Sequence, residues 1–227
     1  MGKLKCTDFE IMFPLKYKKS IEQLVKMDFI HEVNKDDHFF YDSKIKMRGN
    51  SQIKDRCIHI MYQGYGDLTS HMPKTLIEKA QIIDSKICLE SPTGINVCLS
   101  EEKSLLNKPE RQSMNGEFHE ISIQTDNLIE EVAFWEKLNF KITYGSLQND
   151  NWVSMRNELF QIGLYQKKTI YHIFKNPAIT FFNYRNELII EKMKESGFKF
   201  SEEIKENGIT IEGILEIENQ HFFIFKA

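Results

Sequence analysis

Long apolar runs are missing from this 227-residue chain, and none approaches the ~18 residues a membrane-spanning helix needs. Charge of one sign is also missing. Thirty Lys and Arg stand against 33 Asp and Glu, for a net charge of −3, and the basic residues are scattered among acidic ones. That balance gives no electrostatic footprint for nucleic acid. Cysteine is scarce: Cys6, Cys57, Cys88 and Cys98 stand alone, without a CxxC pair, which reads as buried free thiols in a reducing cytoplasm rather than disulfides or a zinc knuckle. The start, "MGKLKCTDFEIMF", has no apolar core segment or small-residue cleavage site, so a cytoplasmic protein is expected. No GxGxxG, Walker loop, HExxH or nucleophile elbow occurs, and "GYGD" at 64–67 reads as a turn. His31, His38, His71 and His172 sit in polar or turn surroundings and read as incidental.

What is present is a repeat. In "EFHEISIQTDNLIEEVAFWEKLNFKI" (117–142), Ile121, Ile123 and Thr125 alternate with Glu120, Ser122 and Gln124, the period of a half-buried strand. "TDN" supplies capping residues, and Leu128, Val132, Trp135 and Leu138 follow at helical spacing. Asn139 takes the helix exit, and "WVSMR" and "FQIGLY" read as further strands, giving the order βαβββ. Residues 177–225 repeat it: strand "AITFFNY", helix "ELIIEKMKESG", then strands "FKF", "ITIEGILEI" and "HFFIF". Ile121 to Phe140 and Ile179 to Phe198 both span nineteen residues. A third copy runs from "DFEIMF" through "SIEQLVKM" to "FIHEV", with Asp28 at the turn. A worn fourth has strand "CIHIMYQ", helix "PKTLIEKA" and strands "KICLE" and "INVCLS".

The expected fold is therefore α+β: four βαβββ modules paired into two domains with concave mixed sheets and helices outside. Domain limits of 1–105 and 116–227 are expected, joined by a polar linker at 106–115. Each half would carry a cleft suited to a small molecule.

"EISIQTDNLIEEVAFWEKLNF", with its strand, capped helix and aromatic ending, resembles the vicinal oxygen chelate superfamily of glyoxalase I, bleomycin-resistance proteins and extradiol dioxygenases. The resemblance is strongest over 118–166 and weakest over 1–100. It implies a groove in which metal-binding members hold a divalent ion through His, Glu or Gln on the first and last strands of paired modules. Carried onto this chain, the first ligand position falls on Glu120 rather than His119, which is expected at the surface or against the helix. The others fall on Gly163, on Ala178 and near Ile224, with a one-residue slip bringing in His221 or Phe223.

One carboxylate with Gly, Ala and Ile cannot hold a divalent ion. The expectation is thus a glyoxalase-like small-molecule binding or sequestering protein with no metal and no cofactor. Its ligand would meet Glu120, Ser122, Gln124, Phe182, Tyr165 and Trp152. The alternative is a metal-dependent lyase or dioxygenase relative. Its divalent metal would use Asp8, His59 and Cys98, which alternation places on the groove side of the N-terminal half beside Glu10, Met12, Cys57, Met61 and Asn96. A third reading is a structural or interaction module with filled clefts. A monomer or homodimer is expected, with no nucleic-acid or membrane partner.

Overall fold

Among the described residues, sixteen strands build two eight-stranded mixed sheets, with four α-helices among them. The computed structural model describes residues 5–63, 68–101, 110–168, 172 and 174–227; the turn expected at 64–67 and residues 106–109 of the expected linker lie outside them. The first sheet takes β1 (Lys5–Pro14), β2 (Ile30–Asn34), β3 (Asp37–Tyr41), β4 (Lys46–Asn50), β5 (Cys57–Gln63), β6 (Gln81–Ile83), β7 (Lys86–Glu90) and β8 (Asn96–Ser100). The second takes β9 (Glu117–Thr125), β10 (Lys141–Gly145), β11 (Trp152–Arg156), β12 (Gln161–Gln166), β13 (Ala178–Asn183), β14 (Glu202–Glu206), β15 (Ile209–Ile217) and β16 (Gln220–Lys226). The helices are α1 (Lys18–Lys26), α2 (Lys74–Ile77), α3 (Leu128–Glu136) and α4 (Asn186–Glu195).

The two sheets have the same order: β2-β3-β4-β1-β5-β8-β7-β6 and β10-β11-β12-β9-β13-β16-β15-β14. Both contain a parallel pairing, β5 with β8 and β13 with β16, the crossover that a βαβββ module requires. The fourfold βαβββ reading is thereby present in the fold. Its details differ in three places. The strand after α4 is 202–206 rather than "FKF" at 198–200, because Phe198 turns back to bond the Met193 carbonyl (3.0 Å) and is buried. The worn module's helix is only four residues long, and a three-residue strand at 81–83 follows it. His31 and His38 are not incidental turn residues. They lie on neighbouring strands, with Nε2 of one 3.0 Å from Nδ1 of the other and their rings stacked.

Residues Met1–Met12, Asp55–Asn107 and Ser122–Asn176 form one compact unit, and Phe13–Lys54, Lys108–Ile121 and Pro177–Ala227 form a second. In the first, α3 is capped by Asn127, whose side chain accepts from the Glu130 amide (3.2 Å). The helix lays Val132 and Trp135 over a core holding Ile123, Val153, Met155, Ile162 and Leu164, all buried. Glu131 is buried in the same helix. Its carboxylate accepts from Trp135 Nε1 (3.0 Å), the Thr93 amide (3.1 Å) and the Thr93 hydroxyl (3.0 Å). In the second unit, Ile179, Phe181, Phe222 and Ile224 are buried, as are Ile190 and Met193 of α4. Asn186, at the start of α4, donates from Nδ2 to the carbonyls of Ile211 (2.6 Å) and Ile224 (2.8 Å). There the segment after residue 109 is tied down by Met114 N to Met27 O (3.0 Å), Ser43 N to Arg111 O (2.9 Å) and an Arg111–Asp28 ion pair at 3.2 Å.

Candidate functional site

The first unit brings a polar cluster onto one face of the N-terminal sheet. Glu10 pairs with His59 across β1 and β5, and His59 pairs with Cys98 across β5 and β8. Partnered strand residues share a face, so Asp8, Glu10, Met12, Cys57, His59, Met61, Asn96, Cys98 and Ser100 lie on one side. The opposite side carries the fully buried Ile11, Ile58, Ile60, Val97 and Leu99.

His59 is enclosed (0% exposed), as are Glu10 and Ser100 (2% each). Nδ1 of His59 lies 2.9 Å from Glu10 Oε1, and Nε2 lies 2.9 Å from Ser100 Oγ. A carboxylate only accepts, so Nδ1 is the donor to Glu10; the serine hydroxyl can serve Nε2 in either sense. Chemically the line of Ser, His and Glu is that of a nucleophile with its base and orienter. All three being sealed, it works here as a polar bridge across β1, β5 and β8. Glu10 was legible as a groove residue. Ser100 was not singled out, although one more step of alternation beyond Cys98 reaches it.

Cys98 stands between two other thiols. Hydrogen bonding from Cys57, together with burial, raises the Cys98 pKa, and burial and the Cys98 neighbour push Cys88 up to about 12.

The second unit holds Glu120 and Phe182. Glu120 is buried, with His119 Nε2 3.9 Å from its Oε2. His119 lies at the surface: its side chain is 39% exposed and its ring stacks on Phe182 at 4.2 Å. The β13–β16 register corrects the last strand. Phe181 is partnered by Ile224 and Thr180 by Phe223, so Ile224 shares the covered face of Phe181. The face opposite belongs to Phe223 and His221, the one-residue slip. His221 is buried with Nε2 3.8 Å from Glu216 Oε2.

The other expected ligand-binding residues fall in the first unit. Trp152 and Tyr165 are cross-strand partners with rings 6.4 Å apart, and Tyr144 continues the row at 6.5 Å from Trp152. Gly163 is partnered by Ser154 in the same pair of strands. Ser122 is buried, and Gln124 is engaged by its own chain, donating from Nε2 to the His172 carbonyl (2.6 Å).

No family model matches the sequence, and no curated protein matches it. Solved structures do match the fold. A catechol 2,3-dioxygenase superposes with a TM-score of 0.60 at 11% identity, over 98% of this chain and 88% of that one. An extradiol ring-cleaving dioxygenase from B. fuscum gives 0.63 at 10% identity, over 98% and 71%. A mutant 4-hydroxymandelate synthase from Streptomyces coelicolor gives 0.61 at 7% identity, over 98% and 93%. The chain has the vicinal oxygen chelate fold.

At such low identity the likeness concerns the fold, and the residues must be tested separately for the divalent ion that this fold can hold. In the vicinal oxygen chelate groove of the N-terminal sheet, Glu10–His59 has the form of the outer half of a carboxylate–histidine–metal triad. The metal's place at Nε2 is taken by Ser100. In the C-terminal sheet the positions carried over from the superfamily hold Glu120 with Gly163 and Ala178. Among the described residues, no group of three or more His, Cys, Asp and Glu side chains is placed to hold a metal ion. The donor set does not fit the ion. Among them, too, no helix is long and apolar enough to cross a membrane.

Proposed function

We propose that this vicinal oxygen chelate chain binds a small organic molecule without a metal ion, and that it is organised as two domains, 1–105 and 116–227, joined at 106–115. The observation that carries the reading is the state of His59. Both of its ring nitrogens are engaged by side chains of the same sheet, and neither is left for an ion or a reacting group. Aromatic surface supports a binding role: the Trp152 and Tyr165 rings in the first unit, and Phe182, stacked on His119, in the second. Flat ring faces take up flat or apolar ligands, and a buried carboxylate selects a polar or cationic group. Ser122 and Gln124 supply further polar atoms. The ligand is a small molecule, the working form is a monomer, and the compartment is the cytoplasm.

The test combines metal analysis of protein purified without chelator with thermal-shift screening against aromatic and cationic metabolites. The reading expects substoichiometric metal, and a stabilising compound whose effect is lost in Trp152→Ala, Tyr165→Ala or Glu120→Gln. Stoichiometric zinc or iron that leaves on His59→Ala would replace it with the metal-dependent lyase or dioxygenase reading. A screen without any shift would favour a structural module.

A further inference from the structure

The first unit has a cleft of about 290 Å³, whose lining includes Tyr62, Leu138, Lys141, Arg156, Asn157 and Glu158 and none of the groove residues named above. Its chemistry is asymmetric. Tyr62 and Leu138 are buried and give an apolar floor, which the buried Cys6 extends. Lys141 and Arg156 are direct cross-strand partners on β10 and β11, so two positive charges stand side by side. Like charges in that relation repel, and neither has an ion-pair partner among the described residues. Two more donors are unspent. Nδ2 of Asn157 is shut off from solvent with no hydrogen-bond partner, although Oδ1 of the same side chain accepts from the amides of Leu159 (2.9 Å) and Phe160 (3.0 Å). Tyr62 is kept protonated, because burial, Cys6 and the Glu158 charge all raise its pKa.

We propose that this cleft is a binding site for a small monoanionic carboxylate with an apolar body. The anion sits between Lys141 and Arg156, relieves their repulsion and takes a forked contact from the guanidinium. The apolar body lies on Tyr62 and Leu138. Glu158 supplies the selectivity, since its carboxylate on the same cleft disfavours a doubly charged anion such as phosphate. Nothing in this arrangement requires a metal or the groove residues, so the site stands whether or not the groove binds a ligand.

The experiment is calorimetric titration of the full chain with benzoate, hexanoate, inorganic phosphate and benzamide. Benzoate and hexanoate are expected to bind saturably, phosphate at least about tenfold more weakly, and neutral benzamide not at all. Lys141→Gln and Arg156→Gln are each expected to weaken benzoate by about tenfold or more, the size of one lost charge-assisted contact. Both side chains are exposed, so an unchanged melting temperature without ligand shows that the variants still fold. Trp152→Ala and Glu120→Gln are expected to leave benzoate binding intact, which separates this cleft from the groove. Absence of saturable benzoate binding, undiminished binding in the Lys141→Gln/Arg156→Gln double variant, or phosphate binding as tightly as benzoate would each overturn the proposal.

Discussion

Glu10 Oε1 and His59 Nδ1 meet at 2.9 Å on adjacent strands, both closed off from solvent. The contact matters because a buried donor without its acceptor loses its hydration and gains nothing in return.

Glu10→Ala is therefore expected to destabilise the protein by about 1–3 kcal/mol, the cost of orphaning the His59 donor. Ser100→Ala should cost less, since one partner of His59 remains. Glu10→Leu combined with His59→Leu should cost less than the two single changes added, because no orphan is left. Urea denaturation measures all of these. Additive single and double effects would show that the pair is not coupled.

The stacked His31–His38 pair gives a pH dependence of definite sign. Burial, and secondarily the charge of His38, lower the His31 pKa from 6.5. In the folded state this ring takes its proton later than in the unfolded chain, so its contribution is present above pH 6.5 and is lost as pH falls through the lowered value. The melting temperature should drop on mild acidification, and His38→Gln should flatten that slope. Titration of the His31 ring by NMR checks the assignment directly.

Glu131 acts in the opposite sense. Burial leads in raising its pKa from 4.5, against the hydrogen bonds from Ser91, Thr93 and Trp135 that favour the charged form. The folded state then holds this proton more tightly than the unfolded one, so stability from this group is present below pH 4.5 and lost as pH rises through the raised value. Glu131→Gln should remove that slope while keeping part of the network. Glu131→Ala should cost about 1–3 kcal/mol by orphaning Trp135 Nε1 and the Thr93 donors, with a change in Trp135 fluorescence. An alanine variant as stable as the parent would mean that water satisfies those donors.

Much of this was legible in the primary structure, and the reason lies in periodicity. Ile121 and Ile123, or Ile58 and Ile60, announce a strand by alternation alone, and strands are what the structure has there, although the residues between them are buried as well. The last strand shows the limit. In "HFFIF" every residue is apolar or aromatic, so alternation carries no phase, and only the pairing of Phe181 with Ile224 places His221 and Phe223 opposite the covered side. His31 and His38 were missed for a related reason: seven residues separate them in sequence, and a tight β2–β3 hairpin brings them together. The ring of His119 against Phe182 depends on strand pairing in the same way.

The helix exits lead somewhere else. Asp28 (φ 63°), Asn139 (φ 68°) and Gly197 (φ 87°) all end a module's helix in the left-handed region, although only one of them is the residue that adopts it without strain. That corner asks nothing of the groove and answers only to the direction in which the next strand must leave. Modules with different side chains in the groove can thus bend alike, the turn being set by the main chain and not by the residues that face a ligand.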